Sequence, residues 1–201
     1  MSTLTLRDME VVGVIMGQGS LARWTAPGGL WTKPDLHMFP QDGHRYEIVD
    51  GSLHVTPPLD GAHEAAVRAL VTTLRGAAPP GWWVCARQGI QVGESNLIPD
   101  VTVLRPQSSG ATWTSPADAA LVVEVESAPS RRYDRLLKPA LYADAGIPRY
   151  WRLELDEDEP ALHVYVLQSS AGYTHERTVR GVELTMLDAP YPVRLAPSSW
   201  V

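Results

Sequence analysis

Four carboxylates, Glu47, Asp100, Glu124 and Glu126, sit in or beside runs that otherwise read as β-strand. The most telling run is LVVEVES, residues 121–127, in which Glu124 and Glu126 interrupt four apolar residues. Side chains alternate across a strand, so residues two apart share a face. Both acids therefore point the same way from a segment that is otherwise apolar. An unpaired buried carboxylate is costly, and two side by side raise each other's pKa. A bound divalent cation removes both penalties. A hard cation such as Mg²⁺ takes oxygen ligands, usually one or two carboxylates completed by water and substrate phosphate. Asp100 and Glu124, on neighbouring strands of one sheet, can supply that set. Lys138, on the helix that follows, can bring a positive charge to a phosphate or to an attacking water. The plainer alternative is that Pro99-Asp100 is a turn and the glutamates are solvated at a strand edge, where an inward charge also guards against aggregation. On the residues alone both readings stay open.

A basic run, SRRYDRLLK, begins four residues after the acidic strand and carries Arg131, Arg132 and Arg135 ahead of Lys138. The arginines suit bidentate contact with flanking phosphates. A solvated helix face explains them equally well.

Other chemistry is excluded by spacing. His63-Glu64 lacks the second histidine of a zinc-protease helix. The six histidines and one cysteine show no zinc-ligand spacing. GQGS carries neither a nucleophile elbow nor a phosphate-loop lysine. Cys85 reads as a small core residue.

The positions that carry these side chains follow from local pattern. RYEIVDGSLHVTP reads as a hairpin turning at Asp50-Gly51. GAHEAAVRALVTTLRGA reads as an amphipathic helix, with Ala62, Ala66, Ala69, Leu70 and Leu74 at helical spacing. WWVCARQGIQV and IPDVTVLRP read as strands, residues 106–119 as a loop, and LVVEVES as the next strand. RYDRLLKPALYADAG is a helix in which Asp134 can cap the first turn and Pro139 should distort the register. YWRLEL, an acidic turn DEDEP, ALHVYVLQ, GYTHERTV and a short strand near residues 191–195 complete the chain. Residues 1–40 are an N-terminal extension with a weak helix over about residues 5–16, and residues 41–201 form a single domain. The order implies an α/β (α+β) fold with a central mixed sheet covered by at least two helices. A parallel strand after the basic helix would close a crossover unit.

At 201 residues the chain is long enough for a substantial core, and its 44% hydrophobic and 20% charged content is that of a globular protein. One cysteine excludes an intrachain disulfide and fits a reducing cytoplasm. No run reaches the length of a membrane span. Arg7, Asp8 and Glu10 ahead of VVGVIM do not suit a signal peptide. With a net charge of −6, any nucleic-acid contact must rest on a local patch rather than a broadly basic surface.

Taken together, these motifs resemble one family. They are Pro99-Asp100, then Glu124-Val125-Glu126-Ser127, then Asp134 with Lys138 four residues on, then the stretch from Tyr142 to Tyr150-Trp151. Upstream, Tyr46-Glu47, Asp50-Gly51 and His63 fit the same pattern. In order and spacing, residues 44–155 resemble the Uma-two family of endonucleases, itself similar to the PD-(D/E)xK superfamily. The resemblance implies a restriction-endonuclease-like core with Mg²⁺ (or Mn²⁺) held by Asp100 and Glu124, and Glu47 as a further acid. It implies a metal-dependent endonuclease, a hydrolase cutting DNA with a metal-activated water; a two-fold dimer would suit a duplex cut. The superfamily pattern puts a lysine at position 126, where this chain has Glu126, and Lys138 fits a lysine migrated to the helix. Glu126 is then an extra ligand or orients Lys138 by a salt bridge. Two rivals remain: a binding or regulatory module that keeps the fold without cleavage, and a hydrolase of another phosphoester.

Overall fold

The computed structural model describes residues 14–15, 24–106, 108, 111–128, 130–155, 159–168 and 172–201. The helix expected over residues 5–16 lies outside them except for Val14–Ile15, which form strand β1 instead. GQGS and most of the acidic turn also lie outside the described residues.

The hairpin forms as read: β2 (Arg45–Val49) pairs antiparallel with β3 (Ser52–Thr56). Asp50 and Gly51 both have positive φ, 47° and 78°, the twist that a two-residue hairpin favours. A Cβ at position 51 would come within 3.0 Å of the Leu30 side chain, so glycine serves space as well as conformation there.

Helix α1 (Gly61–Ala77) is capped by Asp60, whose carboxylate accepts the His63 N–H at 2.9 Å. Its buried face is His63, Ala66, Val67, Leu70, Val71 and Leu74. Ala62 is exposed and Ala69 half-buried, so the true stripe runs through valines rather than those two alanines.

WWVCARQGIQV is two strands, not one. β4 (Trp83–Ala86) and β5 (Gly89–Val92) part at Arg87, whose φ of 52° turns the chain out of the sheet. β6 (Ser95–Leu97) pairs with β5, and β7 (Val101–Leu104) pairs with β4. The expected loop 106–119 contains the short β8 (Trp113–Thr114) and a 3₁₀ turn at Pro116–Asp118. β9 (Ala119–Glu126) then leads through a helical segment to β10 (Arg149–Glu154), and the two pair in parallel. β11 (Ala161–Leu167), β12 (Tyr173–Arg180), β13 (Thr185–Leu187) and β14 (Val193–Leu195) follow.

The expected central mixed sheet is β12-β11-β10-β9-β7-β4. The hairpin belongs to a second sheet, β1-β3-β2-β6-β5-β8. Alternation along β9 decides which side each residue serves. Leu121, Val123 and Val125 join the cluster packed on α1. Val122 faces the other way, toward Ile90, Leu97, Tyr142 and Tyr150. Glu124 and Glu126, in the same alternation, share that second side, between the sheets. Residues 24–39 lie against the hairpin, where Ala26, Trp31 and Phe39 bury Ile48, Leu53 and Val55.

Candidate active site

Antiparallel pairing sets Val101 opposite Val123 on β7 and β9. One more step in that register puts Asp100 opposite Glu124, a separation of about 5 Å between Cβ atoms for such pairs. Pro99, just before, costs nothing there because Asp100 precedes the paired strand. Asp100 is held on both oxygens. Oδ1 accepts Arg45 Nη1 at 2.7 Å, and Oδ2 accepts the Val125 backbone N–H at 2.8 Å. His63 Nε2 stands 3.3 Å from Oδ2 and donates to the Val125 carbonyl at 2.9 Å. Burial alone would raise the Asp100 pKa, but Arg45 and His63 outweigh it and hold this carboxyl well below its usual range.

Arg45 and Glu47 lie two apart on β2 and so face the same way. Glu47 Oε1 accepts the Ile98 N–H at 2.7 Å, and Arg45 also donates to the Ile98 carbonyl at 3.1 Å. This side of the site is therefore tied from the hairpin sheet to the loop ahead of β7.

The helix after β9 supplies the ammonium. Its first part, Tyr133–Leu137, is π-helical, and α2 (Lys138–Asp144) continues it. Pro139 accounts for the widening: it has no N–H, and its ring would press on the Arg135 carbonyl in a regular α-turn. The Lys138 N–H goes to the Tyr133 carbonyl, five residues back. Lys138 Nζ then lies 3.0 Å from Glu124 Oε1, 3.5 Å from Glu47 Oε1 and 3.6 Å from Asp134 Oδ1. Tyr142, one turn on, donates to the same Glu124 oxygen at 2.8 Å. Lys33 and Lys138 are the two lysines in a chain with fifteen arginines, and Lys138 is the buried one.

Asp134 does not cap this helix as expected. It is buried inside the π-turn, where Oδ2 accepts the Ser130 hydroxyl. The site thus gathers Glu47, Asp100, Glu124 and Asp134 around Arg45 and Lys138, two negative charges in excess when every carboxyl is ionised. One ammonium shared by three carboxylates satisfies none of them fully. Burial would lower the Lys138 pKa, but Glu124 and Glu47 raise it, so the amine stays charged. Glu124, buried with Asp134 and Asp100 nearby, is pushed up to about 8 despite Lys138. Its Oε2 is buried and has no hydrogen-bond partner among the described residues.

Glu126 points to the same side but sits in a different group, and the salt bridge expected with Lys138 does not form: Lys138 pairs with Glu47, Glu124 and Asp134 instead. Oε1 accepts Arg131 Nε at 2.7 Å and Arg135 Nη2 at 2.8 Å. Oε2 accepts Arg135 Nε at 2.8 Å and also Arg152 Nη1. Burial would raise this carboxyl, yet the arginines hold it lowered. Arg135 and Arg152 reach on to Glu154. A cavity of about 730 Å³ opens here, lined by His63, Glu126, Arg131, Arg135 and Glu154 among others. Arg132 is exposed.

Of the residues singled out by sequence, Glu47, Asp100, Glu124 and Lys138 come together, while Glu126, Arg131 and Arg135 form the neighbouring cluster. Arg45, Tyr142 and Arg152 were missed as site residues. The one available signal was position: Arg45 precedes Glu47 by two on a strand, and Tyr142 follows Lys138 by four on a helix.

A mixed sheet with paired carboxylates at the mouth of two neighbouring strands and a lysine from the next helix defines a restriction-endonuclease-like protein. Residues 34–196 match the family described as "Uma2: Putative restriction endonuclease", and the chain belongs to that family. Among solved structures it is similar to one described as a "putative nuclease belonging to DUF820" from Anabaena variabilis. The two are 16% identical over 80% of this chain and 89% of that one, with a TM-score of 0.61. No curated protein matches the chain.

Proposed function

We propose that the protein is a divalent-cation-dependent endonuclease that hydrolyses phosphodiesters of DNA, with Asp100 and Glu124 as ligands of Mg²⁺ (or Mn²⁺). The observation that carries this reading is the buried, unpartnered Glu124 Oε2, opposite Asp100 and beside a charged lysine.

The donor set fits a hard cation. An ionised carboxylate offers about four lone-pair positions. Glu124 uses two of them, both on Oε1, and Asp100 uses two, one on each oxygen, for Arg45 and the Val125 N–H. Among the described residues no three His, Cys, Asp or Glu side chains form a ready-made cage. Mg²⁺ does not require one, since it usually keeps several waters and adds substrate phosphate oxygen to one or two carboxylates. The excess negative charge of the site also matches a divalent ion. When bound, such an ion supplies an acidified water and offsets charge building on the phosphate.

The chain's own groups do the rest. Lys138 stays protonated and so acts as a donor to a phosphoryl oxygen rather than as a base. Glu47 and Tyr142 hold Lys138 and Glu124 in place, and Arg45 and His63 fix Asp100. Arg131 uses only Nε on Glu126, which leaves its outer nitrogens, with Arg132, to meet phosphates along the strand.

Supercoiled plasmid and single-stranded DNA, incubated with Mg²⁺ or Mn²⁺, test the reading against Asp100→Asn and Glu124→Gln. Cation-dependent cutting lost in both variants supports it; equal cutting by the variants removes this site. A binding module without cleavage is the second reading, favoured by the net charge of −6 and by Glu126 standing where the superfamily pattern puts a lysine. It predicts a cation-dependent thermal shift with no cutting.

A further inference from the structure

We propose that Glu126 is a positioning residue: it clamps Arg131 and Arg135 so that the helical segment they begin delivers Lys138 to Glu124. The inference rests on the nuclease reading for its consequence in catalysis, but its geometry stands apart from it.

Glu126 has nothing left to offer a cation. It accepts four hydrogen bonds, two on each oxygen, which exhausts the usual acceptor positions of a carboxylate. Its neighbour Glu124 keeps one oxygen free. Two acids on one strand face are thus divided between tasks.

The helix side of the clamp is ordered in the same way. Arg131, Arg135 and Lys138 all reach from this segment to the acidic face of β9. Arg131 and Arg135 meet Glu126, and Lys138 meets Glu124, so the helix face runs along the strand face in the opposite sense. Arg152, on the neighbouring β10, holds Glu126 from the sheet side. Glu154 accepts from both Arg135 and Arg152 and closes the network.

The backbone sets this register through an i→i−5 bond, from the Lys138 N–H to the Tyr133 carbonyl, in place of the usual i→i−4 bond. Pro139 adds no N–H of its own, so one bond of the regular ladder is missing next to Lys138. A buried ammonium placed 1 Å wrong loses its partners. Side-chain bonds from Arg131 and Arg135 to Glu126 add a second constraint beside that missing bond.

The two-lysine composition makes a direct test possible on the full-length chain. An amine-reactive reagent is applied without substrate, and labelling of Lys33 and Lys138 is read by mass spectrometry. In the native chain Lys138 should stay unlabelled while Lys33 reacts. In Glu126→Gln, Lys138 should label about tenfold faster or more through local opening, with Lys33 unchanged. With DNA and Mg²⁺, the same variant should lose kcat by about tenfold to a hundredfold with KM little altered. The double variant Arg131→Met/Arg135→Met keeps Glu126 paired with Arg152, so it tests the clamp even if Glu126→Gln fails to fold. It should expose Lys138 in the same way. Lys138 remaining protected in both variants, with only KM raised, would overturn the proposal and leave Glu126 as an aid to phosphate-binding arginines. Because labelling needs no substrate, a native chain that never cuts DNA would remove the nuclease reading without touching the clamp.

Discussion

Lys138 Nζ stands 3.0 Å from Glu124 Oε1, although fourteen residues separate them in the chain. The contact exists because β9 ends, a short turn reverses direction, and a π-widened helix runs back along the acidic face. A strand lysine at position 126 would have brought an ammonium to the same region. Here that position is an acid, and the charge arrives from the helix.

Replacing Lys138 leaves Glu124 buried without its ion-pair partner and Glu47 with Arg45 alone. Lys138→Met should therefore destabilise the fold by about 3 kcal/mol or more near pH 8, and by less near pH 5, where Glu124 can take up a proton. Urea unfolding at the two pH values checks this. In the same variant, cleavage should fall by about a hundredfold or more, as when a charged donor to the reacting phosphate is removed.

The cation reading makes a separate prediction for the ligands. Added Mg²⁺ or Mn²⁺ should raise the Tm of the native chain, because an ion that binds only the folded state stabilises it. Asp100→Asn and Glu124→Gln should each reduce this shift to near zero. Glu126→Gln, whose carboxylate is saturated by arginines, should retain it.

Stability should depend on pH with a definite sign. Glu124 is pushed up from 4.5 to about 8 by burial, so the folded state holds a proton that the unfolded chain releases. Its contribution is complete below pH 4.5 and fades as pH rises toward 8. Asp134, also raised by burial, acts in the same direction. Asp100 is lowered, and its contribution is lost only as pH falls below 3.8, outside that window. His54 and His163, lowered by burial, act the other way up to about pH 6.5, so the decline in cation-free Tm should show between about pH 6.5 and 8, and Glu124→Gln should flatten it. The cation-induced shift should grow over the same range as the proton leaves.

Pro139→Ala isolates the helix register. Alanine restores an N–H and removes the ring, which allows an α-turn in place of the π-turn. Lys138 would then rotate away from Glu124. Cleavage should drop while Tm changes little or rises, a separation that circular dichroism and a plasmid assay read together.

Much of this site was legible before any coordinates. Alternation in LVVEVES placed Glu124 and Glu126 on one face, and Asp50-Gly51 fixed the hairpin that carries Glu47. Pro139 announced a disturbed helix. Arg45 and Arg152 escaped notice because ion-pair partners leave no periodic trace; they are set by which strands become neighbours. Asp134 resembled a cap, since short polar residues near helix starts usually serve that way, and nothing local shows that this one is buried. The break between β4 and β5 falls at Arg87, a non-glycine residue with positive φ, so the sequence carries no turn signal there. Missing that break merged two strands and hid the second sheet.

The most direct test of the central claim is cutting of supercoiled plasmid by the purified native chain in Mg²⁺ or Mn²⁺, beside Asp100→Asn, Glu124→Gln and Lys138→Met. The account predicts nicked and linear products that need the cation and vanish, or nearly so, in all three variants. Products formed equally well by the variants, or by the native chain in chelator, would contradict it.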